Sequence, residues 1–265
     1  MDEEYTLAQR LAAEFLGTLL LVFVGAGTAA VTLILSQGAP RYNPNDIGIG
    51  ALGGTADWLA IGLAFGFIIM AMVYCFGHVS GAHINPGVTL GLLIHRAIGA
   101  RDAVGYWAAQ FLGATAGALA IALVYGRQAW AVGGLGAPGP FPGVPLWRAG
   151  VAEAIGTFVL VLVVFGLAVN RKAPAGWAGL VIALNIAGLI VLLGNVSGAA
   201  INPARTFGPL FGDWILGAPT NWAVMGVYLV AQAIGAAAAA LAYPWMAIRS
   251  RAAPAGGAGK AAASV

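Results

Sequence analysis

Six long apolar runs divide this chain, and each of them is long enough to cross a lipid bilayer as a helix. A spanning helix needs about 20 consecutive apolar residues. The 265 residues are 60% hydrophobic and only 8% charged, whereas a soluble domain carries about 25% charged residues. The bilayer is therefore the predicted solvent, and the predicted fold class is an all-α membrane protein. The predicted spans are Leu11–Leu35, Trp58–Gly77, Ala103–Tyr125, Trp147–Val169, Trp177–Gly194 and Trp222–Ile248.

The distribution of lysine and arginine predicts which side of the membrane each connection faces. Positive residues favour the cytoplasmic side, and an arrangement with the amino terminus inside places eight of the twelve there. Both termini are then cytoplasmic in the plasma membrane. These eight are Arg10, Arg96, Arg101, Arg171, Lys172, Arg249, Arg251 and Lys260, and the four outside are Arg41, Arg127, Arg148 and Arg205.

Three further features concern the connections and the single cysteine. The segment Gly133–Pro145 is rich in glycine and proline, and it is predicted to be an extracellular surface loop. The tail 249–265 is of low complexity and is predicted to be disordered. Cys75 has no second cysteine for a disulfide or a thiolate metal site, and it is predicted to pack within the second span.

The two halves of the chain repeat each other. Residues 13–18 (AEFLGT) recur as 152–157 (AEAIGT), and residues 77–86 (GHVSGAHINP) recur 117 positions later as 194–203 (GNVSGAAINP). Each half holds three spans, and an odd number gives the halves opposite orientations in the membrane. The sequence therefore predicts an inverted repeat with its functional site between the halves. The same order pairs Tyr106, Gln110 and Gly113 with Tyr228, Gln232 and Gly235.

Each repeat carries an Asn-Pro pair followed by only about ten apolar residues, too few for a span. Asn85 and Asn202 are good N-cap residues, and proline is favoured at the first helical position, so each pair predicts the start of a half-helix. Irregular backbone at membrane depth must be buried or line a water-filled cavity, so the half-helices should meet at the midplane. Their positive ends and amide donors would repel a cation and hold a neutral hydrogen-bond acceptor. A packed bundle without a pore is the alternative.

These features together resemble the aquaporin family over residues 8 to 248. The resemblance implies six transmembrane helices plus two re-entrant half-helices, and a homotetramer with one pore per protomer. Gly87 stands where the family usually has alanine, and we expect a slightly looser pore there. The two boxes that carry the resemblance are Asn85-Pro86-Gly87 and Asn202-Pro203-Ala204, the second followed by Arg205.

Two other segments are similar to the archaeal branch of the family, namely residues 45–54 with Asp57 and Trp58, and residues 132–137. The implied layout is one channel domain over residues 1–248, built from the repeats 8–126 and 147–248.

The resemblance also implies a narrow selectivity filter, formed by Phe65, Ile190, Ala199 and Arg205. An arginine at membrane depth normally marks a pathway, and its charge repels cations. A structural salt bridge with Asp213 is the alternative. Strict water channels usually have histidine at the Ile190 position. Typical glycerol facilitators have tryptophan at the Phe65 position and aspartate at the Thr206 position, so this filter is intermediate between the two types.

Glu14 and Glu153 are the carboxylates well inside the predicted spans, and intramembrane acids are commonly functional, for example in proton coupling. In the family, such glutamates instead support the loops before the half-helices and hold loop carbonyls towards the pore. The symmetric placement of the pair favours support over a proton relay. The implied carbonyl ladder consists of Gly81, Ala82 and His83 in one repeat and Gly198, Ala199 and Ala200 in the other.

The sequence therefore predicts a passive channel for water and small uncharged solutes that excludes protons and ions and has modest glycerol permeability. A glycerol facilitator is the alternative, favoured by Ile190 and opposed by Phe65 and Thr206. An ion-coupled secondary transporter shares inverted repeats and broken helices, yet the boxes offer only asparagines and positive helix ends. An enzyme is disfavoured, because no nucleophile and base pair lies at the boxes. No cofactor, metal or nucleic-acid partner is expected.

Overall fold

The computed structural model describes residues 5–36 and 54–247, which are mostly helical and contain no strand. Six of the helices are long and apolar enough to cross a membrane, which confirms the predicted number of spans. Their ends differ from the predicted bounds by no more than four residues. The longer helices are α1 (Leu7–Ser36), α2 (Thr55–Ser80), α3 (Pro86–Ile94), α4 (Ala100–Tyr125), α5 (Leu146–Val169), α6 (Ala178–Ser197), α7 (Pro203–Ile215) and α8 (Trp222–Ala247), and two short helical turns, Gln128–Ala131 and Gly134–Gly136, lie between α4 and α5.

The spans pack in pairs that follow the repeat. Within the halves, α1 packs on α4 and α5 packs on α8, and α2 packs on α6 across the halves. Glycines make these crossings close, because small residues let helix backbones approach in membranes. A Cβ placed at Gly62 or Gly66 of α2 would lie 2.8 Å from the Ala187 carbonyl oxygen or 2.9 Å from that of Ala183. The fold is thus the six-helix inverted repeat that the sequence predicts.

The two half-helices are α3 and α7, and each begins directly after an asparagine N-cap with proline at its first position. Helix α3 has nine residues, close to the predicted length, whereas α7 has 13. Helix α7 continues past Pro209, which lies inside it. At 1.5 Å per residue both remain shorter than the roughly 30 Å hydrocarbon core.

Two sequence predictions are wrong. The segment Gly133–Pro145 is a surface excursion only in its later part, because Gly133, Leu135 and Gly136 are buried and the chain turns inward there. Cys75 is exposed on the outside of α2 instead of packed within it. The tail 249–265 and most of the archaeal-type segment 45–54 lie outside the described residues.

Candidate channel between the repeats

The two box asparagines are held in the same reciprocal way. The Oδ1 atom of Asn85 accepts from Gly87 N at 2.8 Å, and that of Asn202 accepts from Ala204 N at 3.0 Å. Each Nδ2 atom donates across the repeat boundary, from Asn85 to the Ile201 carbonyl and from Asn202 to the Ile84 carbonyl, both at 2.9 Å. An amide nitrogen carries two hydrogens, so one donor on each asparagine is left for the space between the boxes.

The loops before the boxes have unusual backbone geometry. Left-handed φ values are uncommon for residues other than glycine, and each costs roughly 1–2 kcal/mol. Both loops contain such residues at equivalent places, which indicates that the surrounding structure holds them in this conformation. The φ values are 86° at Gly81, 45° at Ala82 and 43° at Ile84, and 76° at Gly198, 42° at Ala199 and 40° at Ile201.

A fully buried carboxylate holds each loop. Glu14 accepts hydrogen bonds from His83 N at 2.9 Å and from Ile84 N at 2.7 Å, as well as from the Ser80 hydroxyl at 2.7 Å. Gln110 of α4 donates a fourth at 2.8 Å. Four donors around one carboxylate are a strong, charge-assisted arrangement. Among the described residues, no donor binds the carbonyls of 81–83.

The second loop is held by the same set of contacts around Glu153. Its carboxylate accepts from Ala200 N at 2.9 Å, Ile201 N at 2.6 Å, the Ser197 hydroxyl at 2.6 Å and the Gln232 amide at 2.7 Å. The inverted symmetry therefore extends from the helices to single hydrogen bonds. This geometry favours loop support over a proton relay for both glutamates.

Six supporting residues were not assigned a role by the sequence analysis. The two serines and the two glutamines bind the carboxylates, and the two tyrosine hydroxyls donate to the serine carbonyls at 2.8 and 2.7 Å. The tyrosines and glutamines recur at matching positions of the two repeats, and this recurrence is the sequence signal that could have identified them. The six are Ser80, Tyr106 and Gln110 in the first half and Ser197, Tyr228 and Gln232 in the second.

A cavity of about 340 Å³ runs along the two loops and past both box asparagines. Loop residues and Arg205 form one side of it. Large apolar side chains such as Ile69, Leu160 and Ile186 form the rest. The lumen is therefore mainly apolar, with a polar stripe formed by the loop residues and Arg205. Gly198 lines a second cavity of about 190 Å³, and Arg205 lines both cavities. The box residues Pro86, Gly87, Pro203 and Ala204 and the two glutamates are not among the residues that line the main cavity.

The four predicted filter residues meet at one end of this cavity, the end at which Arg205 also lines the second cavity. Phe65, Ile190, Ala199 and Arg205 all line it. The guanidinium carbon of Arg205 lies 5.2 Å from the centre of the Phe65 ring, a distance at which a cation and an aromatic face attract. Arg205 is 3% exposed, and its Nε and Nη1 atoms have no hydrogen-bond partner among the described residues. Within that part of the chain Arg205 forms no ion pair, with Asp213 or any other acid.

The inverted repeat places a second set of residues at the opposite end of the cavity. With the interval of 117 positions, Arg205 corresponds to Val88, Ile190 to Val73 and Ala199 to Ala82, and Phe65 corresponds to Ile182. All four counterparts line the same cavity, and all are apolar. Of these two sets of four residues, only the predicted filter therefore contains a positively charged side chain.

Gly87 of the first box lies in a closely packed place. A Cβ at this position would lie 3.2 Å from Asn85 Oδ1, 3.3 Å from the Thr157 methyl group and 3.8 Å from Pro203 of the opposing box. An alanine methyl would therefore fit only if Asn85 and Thr157 shifted by a few tenths of an ångström. The packing gives no support to the expectation of a looser pore at Gly87.

The chain is similar to one family over nearly its whole length. The family described as major intrinsic protein matches residues 2–243. Aquaporin AqpM of Methanothermobacter marburgensis is 48% identical over 241 residues, covering 91% of this chain and 98% of that protein. Glycerol uptake facilitator protein-like 6 of Lactiplantibacillus plantarum is 36% identical over 228 residues, covering 86% and 93%. The solved aquaglyceroporin from Plasmodium falciparum shares the fold, with a TM-score of 0.72 at 24% identity over 90% of this chain and 96% of that one.

Proposed function

The chain belongs to the major intrinsic protein family, and we propose that it is a passive channel for water and small uncharged solutes. The resemblance to the aquaporins is confirmed by the extent of this similarity. The single observation that carries the proposal is the pair of box asparagines, whose oxygens are bound to their own half-helices and whose free amide hydrogens remain beside a continuous cavity.

The boxes present hydrogen-bond donors and positive charge to the middle of the cavity. Each half-helix contributes about half an elementary positive charge at its amino terminus. A water molecule between the boxes is therefore oriented with its oxygen towards the free Nδ2 hydrogens, because the Oδ1 atoms of both asparagines are turned to the backbone N–H groups of their own half-helices. A chain of waters that all donate in one direction is interrupted there. The positive ends of the half-helices also repel protons and cations.

The polar stripe suits small polyols as well as water. A solute that carries hydroxyls on one side and hydrocarbon on the other can bind the loop carbonyls and Arg205 while its carbon atoms contact the apolar wall. At the filter, Ile190 offers no hydrogen bond. These features support modest glycerol permeability beside water permeability. A dedicated glycerol facilitator remains the second candidate, for which the apolar Ile190 is the favouring observation.

Four finer properties belong to the same proposal. We propose that the protein lies in the plasma membrane with both termini cytoplasmic, on the distribution of lysine and arginine. We propose a homotetramer, as the family resemblance implies. We also propose that residues 1–248 form one channel domain with a cytoplasmic tail at 249–265, and that the protein catalyses no reaction.

Stopped-flow light scattering on proteoliposomes tests the function. Shrinkage in sucrose measures water permeability, and shrinkage followed by re-swelling in glycerol measures solute permeability. We expect water permeability well above that of empty liposomes and a slower glycerol re-swelling that empty liposomes lack. Glycerol flux without a gain in water permeability would favour the facilitator, and no gain in either would refute the channel.

A further inference from the structure

The filter residue Phe65 is seated against a position that has no side chain. A Cβ built at Gly25 of α1 would lie 2.6 Å from Phe65 Cγ and closer still to Cδ1 and Cε1. Real Cβ atoms do not approach other atoms to within 3.0 Å. Gly25 does not have a positive φ, so the backbone does not require glycine there. The space that glycine leaves for the ring is what distinguishes this position.

The helix around Gly25 is itself irregular. Residues Val22–Ala26 form a π-helical turn inside α1, which the Gly27 N–H closes by donating to the Val22 carbonyl. Such turns are rare and are frequent at functional sites. The π-helical turn contains Gly25, which lies directly against Phe65 of the channel wall. The irregular part of α1 is therefore the part that contacts the filter.

Close packing on its other side keeps helix α1 from moving away from Phe65 near Gly25. On its other side, a Cβ at Gly117 of α4 would lie 3.0 Å from Val22 Cβ and 3.2 Å from Phe23 N. Gly136 of the inward-turning loop contacts the Ala26 carbonyl. Val22 and Ala26 are fully buried. A group added at position 25 therefore displaces the Phe65 ring more readily than it displaces the helix.

The Phe65 ring borders the lumen, so it has free space on that side. Phe65 lines the main cavity, and its ring centre lies 5.2 Å from the guanidinium carbon of Arg205. Gly25 does not line that cavity. We propose that Gly25 is a positioning residue that sets the width of the filter by seating the Phe65 ring away from Arg205. This inference rests on the proposed channel function and on Phe65 belonging to its filter.

The variant Gly25→Ala tests the proposal in proteoliposomes. We expect glycerol permeability to fall about tenfold, equivalent to roughly 1.4 kcal/mol of added barrier. Water permeability should fall less, so the water-to-glycerol ratio should rise. Gly27→Ala is the matched control, because its Cβ would meet Ile121 at 3.4 Å, an ordinary contact away from the cavity. That control should leave the ratio unchanged.

A double-mutant cycle with Phe65→Ala shows whether Gly25 acts through the ring. In the Phe65→Ala background the added methyl has room, so Gly25→Ala should fold and should leave the ratio of Phe65→Ala unchanged. If Gly25→Ala alone gives no folded protein, the double variant Gly25→Ala with Phe65→Leu is compared with Phe65→Leu alone. A higher water-to-glycerol ratio in the double variant then supports the proposal. An unchanged or lowered ratio in Gly25→Ala, or an equal rise in both backgrounds, overturns it. Absence of water flux through the unmutated protein would instead refute the channel function itself.

Discussion

The side chain of Asn85 donates a hydrogen bond to the main-chain carbonyl of Ile201 at 2.9 Å, so the first half-helix holds the loop that leads into the second. Asn202 returns the contact to the equivalent residue of the first loop. The two boxes are therefore one structural unit, in which each asparagine caps its own helix, secures the opposite loop and keeps one donor for the lumen. A substitution in one box should therefore disturb the structure of both repeats.

The first prediction concerns Asn85→Asp. The aspartate can still accept from Gly87 N, but its second oxygen would face the Ile201 carbonyl without a hydrogen between them. Losing a buried hydrogen bond in this way costs about 1–3 kcal/mol, and the new negative charge offsets the positive helix ends. We expect a lower unfolding temperature and a measurable cation leak in liposomes. Asn221→Asp changes an exposed cap that binds Ala223 N, and it should change neither property.

The second prediction concerns Glu153→Gln. The amide has one oxygen where the carboxylate accepts four hydrogen bonds, so at least one of the buried donors around it loses its partner. Each such loss costs about 1–3 kcal/mol. We expect a smaller folded yield in detergent and a lower water permeability, without a new proton leak. Glu14→Gln should behave alike by symmetry. Normal yield and water flux with altered proton movement would support a relay instead.

The spans, the inverted repeat and the starts of both half-helices could be predicted from the sequence, because apolar length and the Asn-Pro pair act locally. The glutamate pair was recognisable for the same reason, since it repeats at matching positions. The inward turn at Leu135 and the seat of Phe65 on Gly25 could not be predicted. Both depend on which helices approach each other in space, and a glycine in a sequence does not indicate what occupies the space it leaves.

The third prediction uses mercury. Family resemblance places the usual mercury-sensitive cysteine at Ala199, which lines the cavity, whereas Cys75 is exposed on the outer surface of α2 and does not line it. The unmutated channel should therefore be insensitive to mercury. Ala199→Cys in a Cys75→Ser background should confer a block of water flux that a thiol reverses. Strong inhibition of the unmutated protein, lost in Cys75→Ser, would contradict the placement of Cys75.

The fourth prediction concerns Ile190→His. Ile190 is 2% exposed and lines the filter end of the cavity near Arg205. An imidazole there adds a polar contact suited to water and removes apolar wall that a polyol needs. Glycerol permeability should fall more than water permeability in the same liposomes. Ile186→His, one turn along α6 and lining the cavity nearer its middle, is the matched comparison and should change the ratio less. An unchanged ratio in Ile190→His would mean that the filter lies elsewhere.

The last prediction concerns Arg205→Val, which removes the one charged side chain among the four filter residues while the boxes stay intact. The fold should tolerate it, since two of the guanidinium nitrogens have no partner to lose and the repeat already carries valine at the corresponding position, Val88. At 4 Å and an effective dielectric near 20, two unit charges interact by about 4 kcal/mol, so the barrier to a cation should drop markedly. The two half-helix ends still repel cations, so the leak should remain small. We expect water flux equal to or above that of the unmutated protein, with a proton or small-cation leak detected by an internal pH dye. Arg148→Val, an exposed arginine beside Trp147, controls for the change in net charge and should not leak. An unaltered ion barrier in Arg205→Val would show that the half-helix ends alone exclude ions.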